Sequence, residues 1–164
     1  MVRVIGLFLT QPTRDSRVIP DVNVLVAVFR RDHPHHGRAR SWLASARRLC
    51  AEGSATLVLL PMVIAGFLRL VTNGRVFVNP DSIEDAVALI DALLGSPGVE
   101  LQAGGTEWPL LRDKLLRLGL QGNFITDAWI AAATEAISEH LVTFDRDFKR
   151  LLPPRDLTLL ETSP

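Results

Sequence analysis

The chain has 164 residues, 48% of them hydrophobic and 22% charged, which suits one globular domain with a substantial core. Eighteen basic and eighteen acidic residues give a formal net charge of zero, so no whole-protein positive field draws in nucleic acid, and phosphate binding has to come from local patches or a bound cation. The single cysteine, Cys50, excludes an intramolecular disulfide and a Cys-rich zinc site, and it falls on an apolar helical stripe as a core thiol.

Met1 to Thr10 carries an apolar run too short to span a bilayer and without a small-residue cleavage site, so a cytoplasmic protein with no membrane segment is expected. Residues 1–16 end in a polar, turn-rich stretch and read as an extension ahead of a single domain over 17–164. A first short strand is expected over Arg17–Val22, with Pro20 awkward in it because a central strand needs that N–H. Val22 to Phe29 reads as a buried helix, broken by Asp32 to His36. Ala39, Trp42, Leu43, Ala46, Leu49 and Cys50 then recur at helical spacing.

Thr56–Leu60 reads as a strand, and Pro61 suits the first turn of a helix that Asn73 and Gly74 stop. Asp81 or Ser82 caps a helix whose expected inner face is Ile83, Ala86, Val87, Ile90 and Leu94. Val99–Leu101 is a short strand. Thr106 is expected to cap a helix that turns Leu110, Leu111, Leu115 and Leu118 inward, and Thr126 to cap another that runs through Ile137. Leu141–Phe144 and Leu157–Leu160 are the last strands. Trp42 and Trp129 are assigned to the core. Apolar strands alternating with helices argue for a parallel sheet covered on both faces.

Three aspartates stand at the ends of apolar runs: Asp21 after Pro20, Asp127 at a helix start, and Asp145 after Phe144. In a parallel α/β sheet such positions line one crevice. Carboxylates converging there repel by about 4 kcal/mol per pair at roughly 4 Å and an effective dielectric of about 20, so the cluster calls for a cation. Oxygen-only ligands point to a hard one, Mg²⁺ or Mn²⁺. The bland reading makes each aspartate a cap or turn former. The histidines at 33, 35 and 36 read as a loop entering a helix rather than as a metal site.

The run from Asp21 through Val26 resembles the opening of PIN-domain ribonucleases, as do Thr126 to Ala132 and Val142 to Phe148. The segments His33–Trp42 and Gly66–Asn73 are similar to a VapC-type toxin branch of that family, and the resemblance covers residues 17–160. It implies a three-layer α/β/α sandwich with a mostly parallel central sheet. It also implies a Mg²⁺- or Mn²⁺-dependent endoribonuclease that hydrolyses RNA with metal-activated water. The protein would be the toxin of a toxin–antitoxin pair, held by a cognate antitoxin and homodimeric. By motif match Asp21, Asp127 and Asp145 are the catalytic metal carboxylates, joined by Asp147, while Asn23 and Thr143 support them or ligate in their place.

Phosphate contacts are expected from Arg69, Arg75, Arg146 and Lys149, with Asn123 and Thr126 at a helix start either touching a phosphate or capping. The chain departs from the family at one point: the usual glutamate after the second strand falls near Ile64, and Pro61–Val71 contains no acid. The resemblance implies that this loss need not mean inactivation, since some toxins of the branch lack the acid too.

Two rival readings follow. One is a weakened or inactive PIN-like binding module that keeps the antitoxin surface. The other, a phosphotransferase with a nucleophilic aspartate, needs an acid two residues after Asp21 where the chain has Asn23. A dinucleotide-binding enzyme is disfavoured because no G-x-G-x-x-G follows a strand.

Overall fold

In the computed structural model, which describes residues 16–161, five parallel strands form one sheet in the order β3-β2-β1-β4-β5. The strands are β1 (Ser16–Pro20), β2 (Ala55–Leu59), β3 (Val99–Leu101), β4 (His140–Thr143) and β5 (Leu157–Leu159). Six helices connect and cover them: α1 (Val22–Phe29), α2 (His36–Ala51), α3 (Pro61–Val71), α4 (Ile83–Leu94), α5 (Trp108–Leu118) and α6 (Phe124–Ala136). Short 3-10 turns span Arg146–Arg150 and Pro154–Asp156. The expected extension, up to residue 15, lies outside the described residues.

The sheet core is aliphatic because parallel strands are covered on both faces. Ile19, Leu57, Val58, Leu59 and Leu141 are fully buried, beside Trp42, Phe67 and Phe148 from the covering layers. Cys50 is buried among them, as its helical spacing indicated. Pro20 is tolerated at the centre because the β1–β2 ladder stops at Val18↔Leu57. Beyond it β1 pairs only with β4, and the next donor, the Asp21 N–H, reaches the Val142 carbonyl at 2.8 Å.

Several local expectations fail for identifiable reasons. The first strand ends at Pro20 rather than Val22, because Asp21 is the N-cap of α1 and its carboxylate accepts from the Val22 N–H. Of the two expected caps of α4, Ser82 is the one that serves, accepting from the Asp85 N–H. Helix α4 buries Ala86, Ile90 and Leu93 and leaves Ile83 and Val87 exposed, the neighbouring stripe of the same helix having won the packing. Thr106 lies one residue ahead of the N-cap position of α5, which Glu107 occupies without a side-chain cap bond. Thr126 sits inside α6, which starts two residues earlier, at Phe124, after Gly122 in the left-handed region.

Arg30 clamps the end of α1 to the α3–α4 connection. Its buried guanidinium donates to both carboxylate oxygens of Asp32, to Asp81 Oδ2 and to the Asn79 carbonyl, and lies 4.2 Å from the centre of the Phe77 ring. The α5–α6 hairpin packs through Leu111, Ala128 and Ala132. Lys114 seals it from beneath, donating to the Leu151 carbonyl at 2.9 Å and standing 2.6 Å from Glu135 Oε2. That second contact is a charge pairing only, since Oε2 lies off the hydrogen-bonding direction.

Candidate active site

Strand order reverses between β1 and β4, whose chain neighbours lie on opposite sides. Ligands of open α/β sheets bind outside the carboxyl ends of the strands at such a point. Asp21 follows β1 there, and Thr143 closes β4 there. The register Ile19↔Leu141 and Pro20↔Val142 carries these next two residues opposite one another.

A hydrogen-bond network joins them. Thr143 Oγ1 donates to Asp21 Oδ2 at 2.6 Å, and Asn23 Nδ2 donates to the same oxygen at 2.7 Å. Val22 N–H holds the other oxygen at 2.6 Å. Asn23 Oδ1 accepts from the Phe144 N–H at 3.1 Å, and Thr143 Oγ1 accepts from the Asp145 N–H at 3.0 Å. One turn of α1 and the end of β4 are thus laced together around a carboxylate only 4% exposed.

Burial pushes the Asp21 carboxyl up to about 6, with the charges of Asp127 and Asp145 adding to the rise. The Thr143 and Val22 bonds oppose it. Asp127, half-buried on the first turn of α6, is also raised, by burial and then by Asp145 and Asp147. The four acids therefore feel one another across a single crevice. As the side chains stand, no three or more acidic, His or Cys groups among the described residues are gathered tightly enough to hold one ion. Asp145 instead caps its own 3-10 turn, accepting from the Asp147 N–H at 2.8 Å. The donor chemistry nonetheless fits a hard cation: the ligand atoms are all oxygens, and two of the carboxylates are pushed up by burial and by the charge of neighbouring acids.

The other expected residues lie around this centre without joining its hydrogen bonds. Asn123 occupies the N-cap position of α6 but makes no capping bond, and Thr126 is exposed. Arg69, Arg75, Arg146 and Lys149 are exposed and make no ion pair among the described residues. No acid stands on α3.

His33 and His35 are edge-to-face, and His35 stacks on Phe144 at 4.6 Å between ring centres. His36 points back to the Ala27 carbonyl, so the three rings do not converge. Trp129 is 40% exposed rather than core. Its indole N–H donates to Glu107 Oε1 at 2.8 Å and holds that buried carboxyl below its usual range, while Gly105 N–H binds Oε2. This latch, which ties the loop before α5 to α6, was invisible in sequence because its partners are 22 residues apart. The Phe144 backbone donor was equally hidden, since a main-chain group leaves no mark on residue type.

A strand-switch crevice lined by aspartates on a five-stranded parallel sheet defines a PIN-like domain, and the PIN domain family model matches residues 18–151. The VapC ribonuclease Mb2897 of Mycobacterium bovis is 39% identical over 131 residues, covering 79% of this chain and 86% of that protein. Ribonuclease VapC25 of Mycobacterium tuberculosis is 37% identical over 140 residues, covering 84% and 94%. The chain belongs to the PIN-domain family, in its VapC branch.

The fold agrees with solved structures. The crystal structure of VapBC2 from Rickettsia felis, bound to a DNA fragment from its promoter, superposes with a TM-score of 0.61 at 22% identity, covering 88% of this chain and 99% of that one. VapC20 of Mycobacterium tuberculosis, described as a sarcin-ricin loop cleaving toxin, gives 0.57 at 18% identity over 81% and 93%. No helix among the described residues is long and apolar enough to cross a membrane.

Proposed function

We propose that this chain is a divalent-metal-dependent endoribonuclease, the toxin of a toxin–antitoxin pair. The observation that carries the reading is the buried Asp21, held at the β1/β4 switch point in mutual repulsion with Asp127 and Asp145. Names of relatives support the rest: VapC25 and Mb2897 are called ribonucleases.

Asp21, Asp127, Asp145 and Asp147 are the groups that would hold Mg²⁺ or Mn²⁺. Such an ion, when bound, supplies charge neutralisation at a phosphate oxygen and a lowered pKa for water. The chain's own groups do the remainder. Asn23 and Thr143 fix the rotamer of Asp21 through Oδ2. The Phe144 N–H orients Asn23. Thr143 also steadies the backbone of Asp145. Asp145 Oδ1 accepts the Asp147 N–H, which leaves Oδ2 as the oxygen that would hold the ion. Exposed Arg146 and Lys149 beside it offset RNA phosphate charge in a chain of zero net charge. No side chain is needed as nucleophile.

An antitoxin partner is supported by the VapBC complexes among the structural neighbours, and a homodimer by the family resemblance. A silenced module that keeps only the partner surface is the weaker reading. The acid-free α3 favours it, whereas the full set of strand-end aspartates and the ribonuclease relatives oppose it.

The test is cleavage of total RNA by the purified protein with Mn²⁺ or Mg²⁺. The expected result is cleavage abolished by EDTA and by Asp21→Asn or Asp145→Asn. Cleavage that persists in either variant overturns the assigned roles, and no cleavage of any RNA with either metal favours the silenced module.

A further inference from the structure

We propose that the hollow between the α5–α6 turn and the 3-10 turn after β4 is a nucleotide subsite, with Phe124 stacking on a base and Arg150 binding the adjoining phosphate. The proposal rests on the ribonuclease reading and specifies where the RNA strand leaves the carboxylates. The hollow measures about 440 Å³ and is walled by residues 118–122, Phe124 and Arg150.

Arg150 is the one charged group in that wall, and it makes no ion pair among the described residues. Phe124 is 41% exposed, unusual for a phenylalanine that could have turned inward with Ala128. The pocket is therefore locally cationic and aromatic beside a strongly acidic crevice, in a chain of zero net charge.

Helix geometry ties pocket to crevice twice. Phe124 and Asp127 are i and i+3 on α6 and share one side of the helix, about 4.5 Å apart along its axis. Asp147 and Arg150 are i and i+3 in a 3-10 turn, where such residues eclipse about 6 Å apart. Phe124 and Arg150 line the same hollow, so α6 and the 3-10 turn lie side by side there and carry Asp127 and Asp147 within one turn of it. Both elements thus present an acid to the crevice and, one turn away in each case, the group that lines the hollow. A strand held at the acids therefore passes the hollow along either element. The wall is aromatic and cationic, with Gln121 as its one uncharged polar side chain, so stacking with little base preference is the chemistry it suits best.

The experiment measures fluorescence anisotropy of a labelled single-stranded oligouridine 12-mer in Ca²⁺, with cleavage followed in Mn²⁺ and folding checked by thermal melting. Phe124→Ala is expected to weaken binding about five- to hundredfold, and Phe124→Trp to keep it. Arg150→Ala is expected to weaken binding and to flatten the salt dependence by about 0.7 in log–log slope. If the wild type binds RNA and both alanine variants bind equally well, the subsite is overturned while the ribonuclease reading stands. If the wild type neither binds nor cleaves RNA, both are overturned. If Phe124→Ala changes only the oligomeric state, seen by light scattering, the face is a protein contact and the subsite is overturned. Arg150 is exposed and far from the core, so its variant keeps the test open should Phe124→Ala fail to fold.

Discussion

The Thr143 hydroxyl and the Asp21 carboxylate meet at 2.6 Å across the two central strands, and the same hydroxyl accepts the Asp145 N–H. One oxygen atom therefore links two acids of the crevice. Thr143→Val removes the donor from a buried carboxylate while keeping the shape. It should cost about 1–3 kcal/mol at pH 7 by urea unfolding, and raise the acid limb of the pH–rate profile. Thr143→Ser should restore both. An unchanged profile in the valine variant would show that the bond does not tune Asp21.

Asp21 makes stability depend on pH in the direction opposite to a salt-bridged aspartate. Its folded value of about 6 lies above the ordinary 3.8, so between these values the folded chain binds more protons than the unfolded one. Stability should fall as pH rises from about 4 to 6 and stay lower above, by on the order of 1–3 kcal/mol. Asp127 adds in the same direction. Asp21→Asn should abolish cleavage and flatten this slope, while its amide NH2 meets a donor where the carboxylate accepted one. A variant whose stability still falls from about pH 4 to 6 as the wild type's does would contradict the electrostatic account.

A divalent cation should reverse that penalty. Mn²⁺ at a hundred times its dissociation constant is expected to stabilise by about 2.7 kcal/mol. The gain should be larger at pH 7 than at pH 5, and much smaller in Asp21→Asn or Asp145→Asn. Equal shifts in all three proteins, read by differential scanning fluorimetry, would place the ion elsewhere.

Arg30→Ala tests the clamp rather than the site. It leaves Asp81 partly buried without its cation and frees the Asn79 carbonyl. A loss of about 2–4 kcal/mol is expected, because the partners stay behind unpaired. Arg30→Lys should recover little, since an ammonium cannot span Asp32, Asp81 and a carbonyl at once.

The sheet was legible in the sequence because each buried parallel strand is a compact apolar run, and its end is marked by the residue that turns into the crevice. Asp21 and Asp145 were readable for that reason. What could not be read was choice among equivalent local options. Helix α4 carries two adjacent apolar stripes, and only the docked partner selects Ala86 and Ile90 over Ile83 and Val87. Thr126 and Asn123 both suit a helix start, and the left-handed Gly122 decided for the earlier one. Trp129 has core character by type, yet its indole N–H needs an acceptor, which the buried Glu107 supplies while the ring stays 40% exposed. The burial of Arg30 and Lys114 was invisible because Asp81 and the Leu151 carbonyl, which draw them inward, lie far along the chain.

Asp21 is written early, but the hydroxyl that holds it comes 122 residues later. A ribosome that stalls midway, or a protease that removes β4, leaves a fragment in which that carboxylate keeps only its near neighbours Val22 and Asn23 and loses the strand that buries it.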